Sequence, residues 1–325
     1  MDYSALSEKK RRLDGFRPLP VALVDNLDAW FRVELTYTSN AIEGNTLTRR
    51  ETALVVEKGL TVGGKTLVEH LEASNHAKAI DWIYGQTSRR PEQLVEQDIL
   101  GLHAIVLKAI DDTNAGRYRN VAVRIAGSPV VLPNPAKVPE LMKMFQDWLS
   151  TSGDLHPVAR AAEAHYRLVT IHPFVDGNGR AARLLMNLIL LMDGYPPALI
   201  RKRDRLAYIA SLEKAQLGGS SEAYLKLIAK AVDRTLDIYL SAARGDSHES
   251  RGEAKLLKIG ALARQAGVAN STIRHWTKEG LLDVAEVTEA GYQLYASDLL
   301  ERIVRIRALQ EQRYTLLEIK KALDG

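Results

Sequence analysis

The residues best suited to chemistry lie together in one short segment, Ile171–Arg183, with the sequence IHPFVDGNGRAAR. The run Gly177-Asn178-Gly179 offers backbone N–H groups that no bulky side chain shields. A helix is predicted to begin near Arg180, and the N-terminus of a helix carries partial positive charge. Because such a loop directs its N–H groups at a ligand, the segment predicts a site for phosphate groups.

Charged and titratable side chains accompany this loop. Arg180 and Arg183 are three residues apart, hence on one face of the predicted helix, and can bond two different phosphates. Asp176 is a hard oxygen ligand one residue before the glycines, where it could hold a phosphate-bound Mg²⁺. His172 is the general base nearby, with a pKa suited to taking a proton from a hydroxyl at neutral pH. Together these residues predict chemistry on a nucleoside triphosphate.

The run HPFVDGNGRAAR resembles the signature of the Fic family, HPFx(D/E)GNGRxxR, at every specified position. The similarity loosely covers residues 44–240. It implies an all-α core with a β-hairpin flap over the active site. It also implies that AMP moves from ATP, in the presence of Mg²⁺, to a Ser, Thr or Tyr hydroxyl of a target protein.

The resemblance implies a role for each matching residue. His172 would deprotonate the attacking hydroxyl, Asp176 would hold Mg²⁺, and pyrophosphate would leave. The nucleotide would be bound by Gly177, Asn178, Gly179, Arg180 and Arg183 at the phosphates and by Tyr208 at adenine. Doc-type relatives, which transfer phosphate, carry Lys at the position of Gly179, so this glycine favours AMP transfer. His165, on the preceding helix, is expected to be structural.

A carboxylate stands where a long N-terminal helix is predicted to end, in the run Ser39-Asn40-Ala41-Ile42-Glu43-Gly44. Glu43 there faces the negative end of the helix dipole and needs a cation from elsewhere. The run resembles the inhibitory motif (S/T)xxxE(G/N) of many Fic proteins. This implies that Glu43 pairs with Arg183, with Ser39 fixing the helix end, and so takes the place of the γ-phosphate. In some relatives the same Glu positions water for removal of AMP, and both activities stay open.

A β-hairpin is predicted at Val121–Leu132, where β-branched residues flank a Gly-Ser-Pro turn. Its position matches the flap of the family. An exposed strand edge could take up a target segment by β-augmentation. The tip is expected to touch the nucleotide through Ile125, Ala126, Gly127 and Ser128. The alternative is a hairpin that only packs against the rest of the protein.

A helix-turn-helix is predicted at Lys258–Leu282, where two short helices flank Gly267 and the second opens with Asn270 or Ser271 as N-cap. With GYQLY at 291–295, the module resembles the MerR family, which implies a wing and DNA binding. The residues expected to face the major groove are Ser271, Thr272, Arg274, His275 and Lys278. Gln293 replaces the usual wing arginine, so a single module should bind weakly. Protein docking is the alternative.

Composition limits the remaining possibilities. The 325 residues are 46% hydrophobic and 26% charged, which is typical of a folded protein with two domains. The absence of cysteine excludes disulfides, thiolate metal sites and a cysteine nucleophile. The longest apolar run, Leu184–Met192, is too short to cross a membrane, and no targeting segment opens the sequence, so a cytoplasmic protein without a membrane partner is expected. The net charge of +4 weakly favours anionic partners.

Hydrophobic periodicity predicts that helices position these motifs. They are expected at 23–42, 47–57, 67–84, 92–109, 138–150, 156–170, 180–192, 204–215 and 221–243. The predicted organisation is an N-terminal region with the inhibitory helix (1–90), a Fic core (91–242), a polar linker (243–254) and a MerR-like module (255–325). The whole predicts an autoinhibited protein adenylyltransferase, with a homodimer as one route to pairing two modules. The rival hypothesis is a transcription regulator whose Fic core senses nucleotide.

Overall fold

The chain divides into two compact units, Met1–Asp246 and Ser247–Gly325. The computed structural model describes residues 2–245, 256–287, 292–297, 299–311, 314–316 and 318–319. The predicted linker, 243–254, falls largely outside these residues, and the bounds of the four predicted regions stay predictions. Within the described ranges, no helix is both long and apolar enough to cross a membrane.

The first unit is built from ten α-helices over its described residues. They are α1 (Ser4–Asp14), α2 (Val21–Glu43), α3 (Arg49–Lys58), α4 (Leu67–Tyr84), α5 (Glu96–Leu107), α6 (Val138–Thr151), α7 (Pro157–Ile171), α8 (Asn178–Met192), α9 (Arg205–Gln216) and α10 (Glu222–Ala243). Short 3₁₀ turns occur at Pro91–Gln93, Pro135–Lys137, Ser152–Asp154 and Lys202–Asp204. The predicted all-α class is confirmed.

Helix α8 lies at the centre of this unit. Its residues from Ala181 to Leu190 are all buried, and it packs against α2, α4, α5 and α7. A helix that is apolar on most of its faces is stable only when other helices surround it. Since α8 begins at the glycine loop, a helix that is buried along most of its length holds the predicted phosphate site at its N-terminus.

The segment predicted as a β-hairpin does not form paired strands, and none of residues 2–245 is in a strand. A tight turn is present at its tip, where the Ser128 N–H donates to the Ile125 carbonyl at 3.1 Å and Gly127 has a φ of +76°. The arms are extended but lack a core to bury, since Val131 is 91% exposed. Pro129 also lacks the N–H that a ladder needs. The flap is therefore an extended loop, and the strand prediction was wrong.

The second unit is a small winged helix-turn-helix, which confirms the predicted architecture. Its described elements are β1 (Leu256–Lys258), α11 (Ile259–Ala266), α12 (Asn270–Lys278), β2 (Glu286–Val287), β3 (Gln293–Ala296) and α13 (Leu299–Glu311). The strands form an antiparallel sheet in the order β1-β3-β2, with Leu257 opposite Tyr295. Trp276 and Tyr295 are buried at its centre.

The start of α12 differs slightly from the prediction. Ala269 occupies the N-cap position, and its carbonyl accepts from Thr272 and Ile273, at 3.0 and 3.3 Å. Asn270 and Ser271 already lie inside the helix, so neither caps it. Ser271, Arg274, His275 and Lys278 are exposed and Thr272 is half-buried, because these side chains lie away from the buried Ile273 and Trp276.

Candidate active site

The loop between α7 and α8 is held in one shape by its own side chains. The amide of Asn178 accepts from the Phe174 N–H and donates to the Phe174 carbonyl, both at 2.9 Å. Gly177 caps α8 with a φ of +74°, a conformation that L side chains rarely adopt. Phe174 is fully buried and anchors the loop to the core. The glycine loop is therefore rigid before any ligand binds.

His172 terminates α7 with a left-handed φ of +51°. Its Nδ1 lies 3.3 Å from the Val169 carbonyl, which can only accept, so Nδ1 carries the proton and Nε2 keeps a free lone pair. Burial lowers the pKa of His172 below its usual range. The imidazole is therefore neutral at pH 7 and can accept a proton at Nε2.

Arg183 lies against the end of α2. Its Nη2 donates to Glu43 Oε1 at 2.6 Å, and its Nε donates to Ser39 Oγ at 2.9 Å. Burial alone would lower the pKa of Arg183, but the Glu43 carboxylate raises it. The pairing that the inhibitory motif implied is thus the one in the structure, with Ser39 on the same guanidinium.

The Glu43 carboxylate lies over the first turn of α8. A Cβ added to Gly179 would meet Glu43 Oε1 at 2.3 Å and Arg183 Nη1 at 3.0 Å. On the other side, Arg205 Nε donates to the Ile42 carbonyl at 2.6 Å and fixes the last turn of α2. Glu43 therefore occupies the place where the sequence predicts phosphate, next to a glycine that leaves no room for a side chain.

Arg180 is also paired with carboxylates. Its Nη1 donates to Glu72 Oε1 at 2.8 Å and its Nη2 to Asp176 Oδ2 at 3.0 Å, while Arg180 is only 3% exposed. Glu72, on α4, accepts in addition from Asn45 Nδ2 at 2.8 Å. Sequence reasoning missed Glu72, because nothing local to α4 marks it as the partner of an arginine in α8.

Tyr208, which is predicted to contact adenine, is buried in the structure. Its side chain is 2% exposed, and its hydroxyl lies 2.7 Å from His165 Nε2 and also contacts Arg183. Tyr224 contacts the other ring nitrogen of His165 at 2.9 Å, and burial lowers the pKa of this histidine to about 3. The ring of Tyr208 is thus in the core behind Arg183, which argues against an adenine contact. His165 has the structural environment expected of it.

His103, on α5, is a supporting residue that sequence reasoning missed. Its Nδ1 accepts from the Gly116 N–H and its Nε2 donates to the Asp176 carbonyl, both at 2.9 Å. The ring stacks on Phe174 with centroids 3.6 Å apart, and burial lowers the pKa of His103 to about 4. The His103 imidazole is therefore neutral, and in this form it holds the backbone of Asp176. The Asp176 carboxylate itself is 67% exposed.

Two family models match the chain. The Fic/DOC family model covers residues 93–190, and the MerR HTH family regulatory protein model covers residues 257–325. The first region contains the run HPFVDGNGRAAR, and the second contains the predicted helix-turn-helix.

Curated relatives match about three quarters of the chain. A protein adenylyltransferase Fic from Nematostella vectensis is 35% identical over 266 residues, which are 74% of this chain and 61% of that protein. One from Drosophila virilis is 42% identical over 241 residues, 73% of this chain and 48% of that protein. The chain therefore spans about half to three fifths of the length of these relatives.

Solved structures give the same result. Fic-1 (residues 134–508) from C. elegans is 33% identical with a TM-score of 0.65, covering 75% of this chain and 74% of that one. A Fic domain containing signaling protein from Bacteroides thetaiotaomicron is 28% identical with a TM-score of 0.67, covering 75% and 99%. Because it is 33% identical to that Fic-1 chain and covers 74% of it, this chain belongs to the Fic/DOC family.

Proposed function

We propose that the chain is a protein adenylyltransferase, which moves AMP from ATP to a Ser, Thr or Tyr hydroxyl of a target protein. The observation that carries the proposal is a histidine with a free Nε2 lone pair beside a rigid glycine loop and two buried arginines. Relatives named protein adenylyltransferase Fic support this reaction over nucleotide sensing by a transcription regulator.

In the proposed reaction, His172 Nε2 takes the proton of the target hydroxyl while its oxygen bonds to the α-phosphorus of ATP. The bond from that phosphorus to the oxygen bridging the β-phosphate breaks, and pyrophosphate leaves. Arg180 and Arg183 would hold the β- and γ-phosphates and neutralise the charge that develops on the leaving oxygen. Catalysis would thus come from positioning and electrostatics, as in other phosphoryl transfers.

The residues present fit a magnesium ion shared with the nucleotide. Among the described residues no three His, Cys, Asp or Glu side chains cluster to hold a metal, but the exposed Asp176 carboxylate stands at the loop. Mg²⁺ is commonly held by one or two carboxylates together with phosphate oxygens, so one such ligand suffices. Bound there, the ion would supply positive charge against the phosphates.

Glu43 would restrain this reaction. Its carboxylate uses the Arg183 cation that the γ-phosphate needs, and Arg205 holds the helix end that presents it. ATP that binds while this pair persists would lack one of its two arginines. Release of α2 from Arg183 would then be the activating step.

Separate incubations with ATP labelled at the α-phosphorus and at the γ-phosphorus test AMP transfer against phosphate transfer. Glu43→Gly protein incubated with ATP labelled at the α-phosphorus should retain the label on protein, because the α-phosphate stays with AMP. ATP labelled at the γ-phosphorus should leave no label on protein, because pyrophosphate departs. Protein labelled by the γ-phosphate alone would instead assign phosphate transfer.

A DNA-binding role is proposed for the second unit, on the match of residues 257–325 to the MerR HTH family. The side chains expected in the major groove lie along one exposed side of α12, and two of them, Arg274 and Lys278, are cations. Because one small module makes few phosphate contacts, binding should need two copies, which a homodimer would supply.

A gel-shift salt series tests this proposal. Full-length protein should shift fragments of its own upstream region, and the Arg274→Ala/Lys278→Ala variant should lose at least tenfold in affinity, since one bidentate arginine contact to a base is worth about 1–3 kcal/mol. The matched control is Lys226→Ala/Lys230→Ala, which removes the same charge from exposed positions of α10. If no fragment shifts even at low salt, the module is a protein-docking domain.

A further inference from the structure

Arg119 is a buried cation outside the loop that carries the proposed chemistry. It lies between α5 and α6 and is 3% exposed. Its guanidinium donates to three backbone carbonyls: Nε to His172 at 2.8 Å, Nη1 to Val121 at 3.1 Å and Nη2 to Pro133 at 2.6 Å. Its own N–H donates to the Pro173 carbonyl at 2.9 Å.

These partners are unusual for a buried charge. Within the described part of the chain, Arg119 forms no ion pair with a carboxylate, and a buried ion without an opposite charge is costly. A residue that only filled space could be apolar. What an arginine adds is a rigid planar group with five donors, which can hold several carbonyls in fixed relative positions.

The three carbonyls belong to the two parts of the site that must meet. Val121 and Pro133 are the two ends of the flap segment, and His172 is the proposed base. Because the flap has no strand pairing of its own, its ends need another tie. At the tip of the flap, the Ser128 hydroxyl donates to the Glu213 carboxylate on α9.

We propose that Arg119 is a positioning residue that fixes the flap segment, residues 121–133, relative to His172, so that a hydroxyl presented along the flap meets Nε2. The inference rests on the proposed AMP transfer. It assigns Arg119 no contact with ATP, whose phosphates would be bound by Arg180 and Arg183. Loss of Arg119 should therefore impair use of the target while ATP affinity is kept.

The test compares Arg119→Gln and Arg119→Lys in the Glu43→Gly protein. With Arg119→Gln we expect kcat/KM for the target to fall about a hundredfold, the cost of misplacing a reacting group by about 1 Å, while the Kd for ATP changes less than twofold. Lysine keeps the charge and can still reach one carbonyl, so Arg119→Lys should recover part of the loss. The matched control is Arg117→Gln, which removes an exposed arginine two residues earlier and should have no effect.

Hydrogen–deuterium exchange separates this inference from the proposed reaction. In Arg119→Gln, the amides of residues 121–133 and the loop after α7 should exchange at least tenfold faster, while α8 and α10 exchange as before. This selective change supports the positioning role even if no variant transfers AMP. Unchanged exchange in the flap overturns the inference, and so does faster exchange throughout the first unit, which would make Arg119 a general stabilising residue.

Discussion

Replacing His172 with alanine should abolish AMP transfer while ATP still binds. The imidazole would act on the acceptor hydroxyl, whereas the phosphates would be held by the glycine loop and the arginines, so binding and chemistry should separate. A general base contributes about a hundredfold or more to rate. Transfer by the Glu43→Gly/His172→Ala protein should therefore fall below about one hundredth of that by Glu43→Gly, with the Kd for ATP within a factor of two or three.

The control for this prediction is His70→Ala in the same background. His70 is a half-buried histidine of α4 whose bonds, to Val62 and Thr66, are local to its own region. Its loss should leave transfer unchanged. Retention of more than about a hundredth of the rate by the His172→Ala protein would show that another group removes the proton.

Replacing Glu43 with glycine should raise the modification of targets or of the protein itself. Removal of the carboxylate leaves Arg183 without its 2.6 Å partner and clears the space over Gly179. A coupling of this kind is typically worth a factor of about 5 to 150. Arg183→Ala should not reproduce the gain, because the γ-phosphate then loses its own partner as well. The measurement is the initial rate of AMP incorporation at saturating ATP.

Glu57→Gly is the matched control, since Glu57 is an exposed glutamate in the last turn of α3. It changes the same residue type at a helix end that is far from the glycine loop in sequence. The rate of the Glu57→Gly protein should equal that of the wild-type protein. If the wild-type and Glu43→Gly proteins modify themselves at equal rates, Glu43 does not inhibit the reaction.

The parts of the site that the sequence predicts are those with a local signature. The loop from His172 to Arg183 is contiguous, so residue type and spacing suffice to indicate an anion site with a base beside it. The supports of this loop have no such signature. Glu72 and Arg180 are far apart in sequence, and the same is true of His103 and Asp176, so the pairs become visible only when α4 and α5 pack against α8.

The strand prediction and the assignment of Tyr208 to adenine share a physical limit, which is that a linear pattern does not report burial. Alternation along 121–132 predicts strands, but Val121 and Val131 are exposed and Pro129 lacks an N–H group, so the arms stay unpaired. Tyr208 occupies the helical position that the resemblance implies for adenine binding, yet α9 turns its ring into the protein, toward His165.

The most direct test of AMP transfer under Glu43 control is mass spectrometry of a cell lysate incubated with ATP and one of three proteins. These are the wild-type chain, Glu43→Gly and Glu43→Gly/His172→Ala. The account predicts AMP on a Ser, Thr or Tyr side chain of at least one protein with Glu43→Gly, little with the wild-type chain and none with the double variant. AMP attached equally by all three, or by none while a Fic protein of known activity modifies the same lysate, would contradict it.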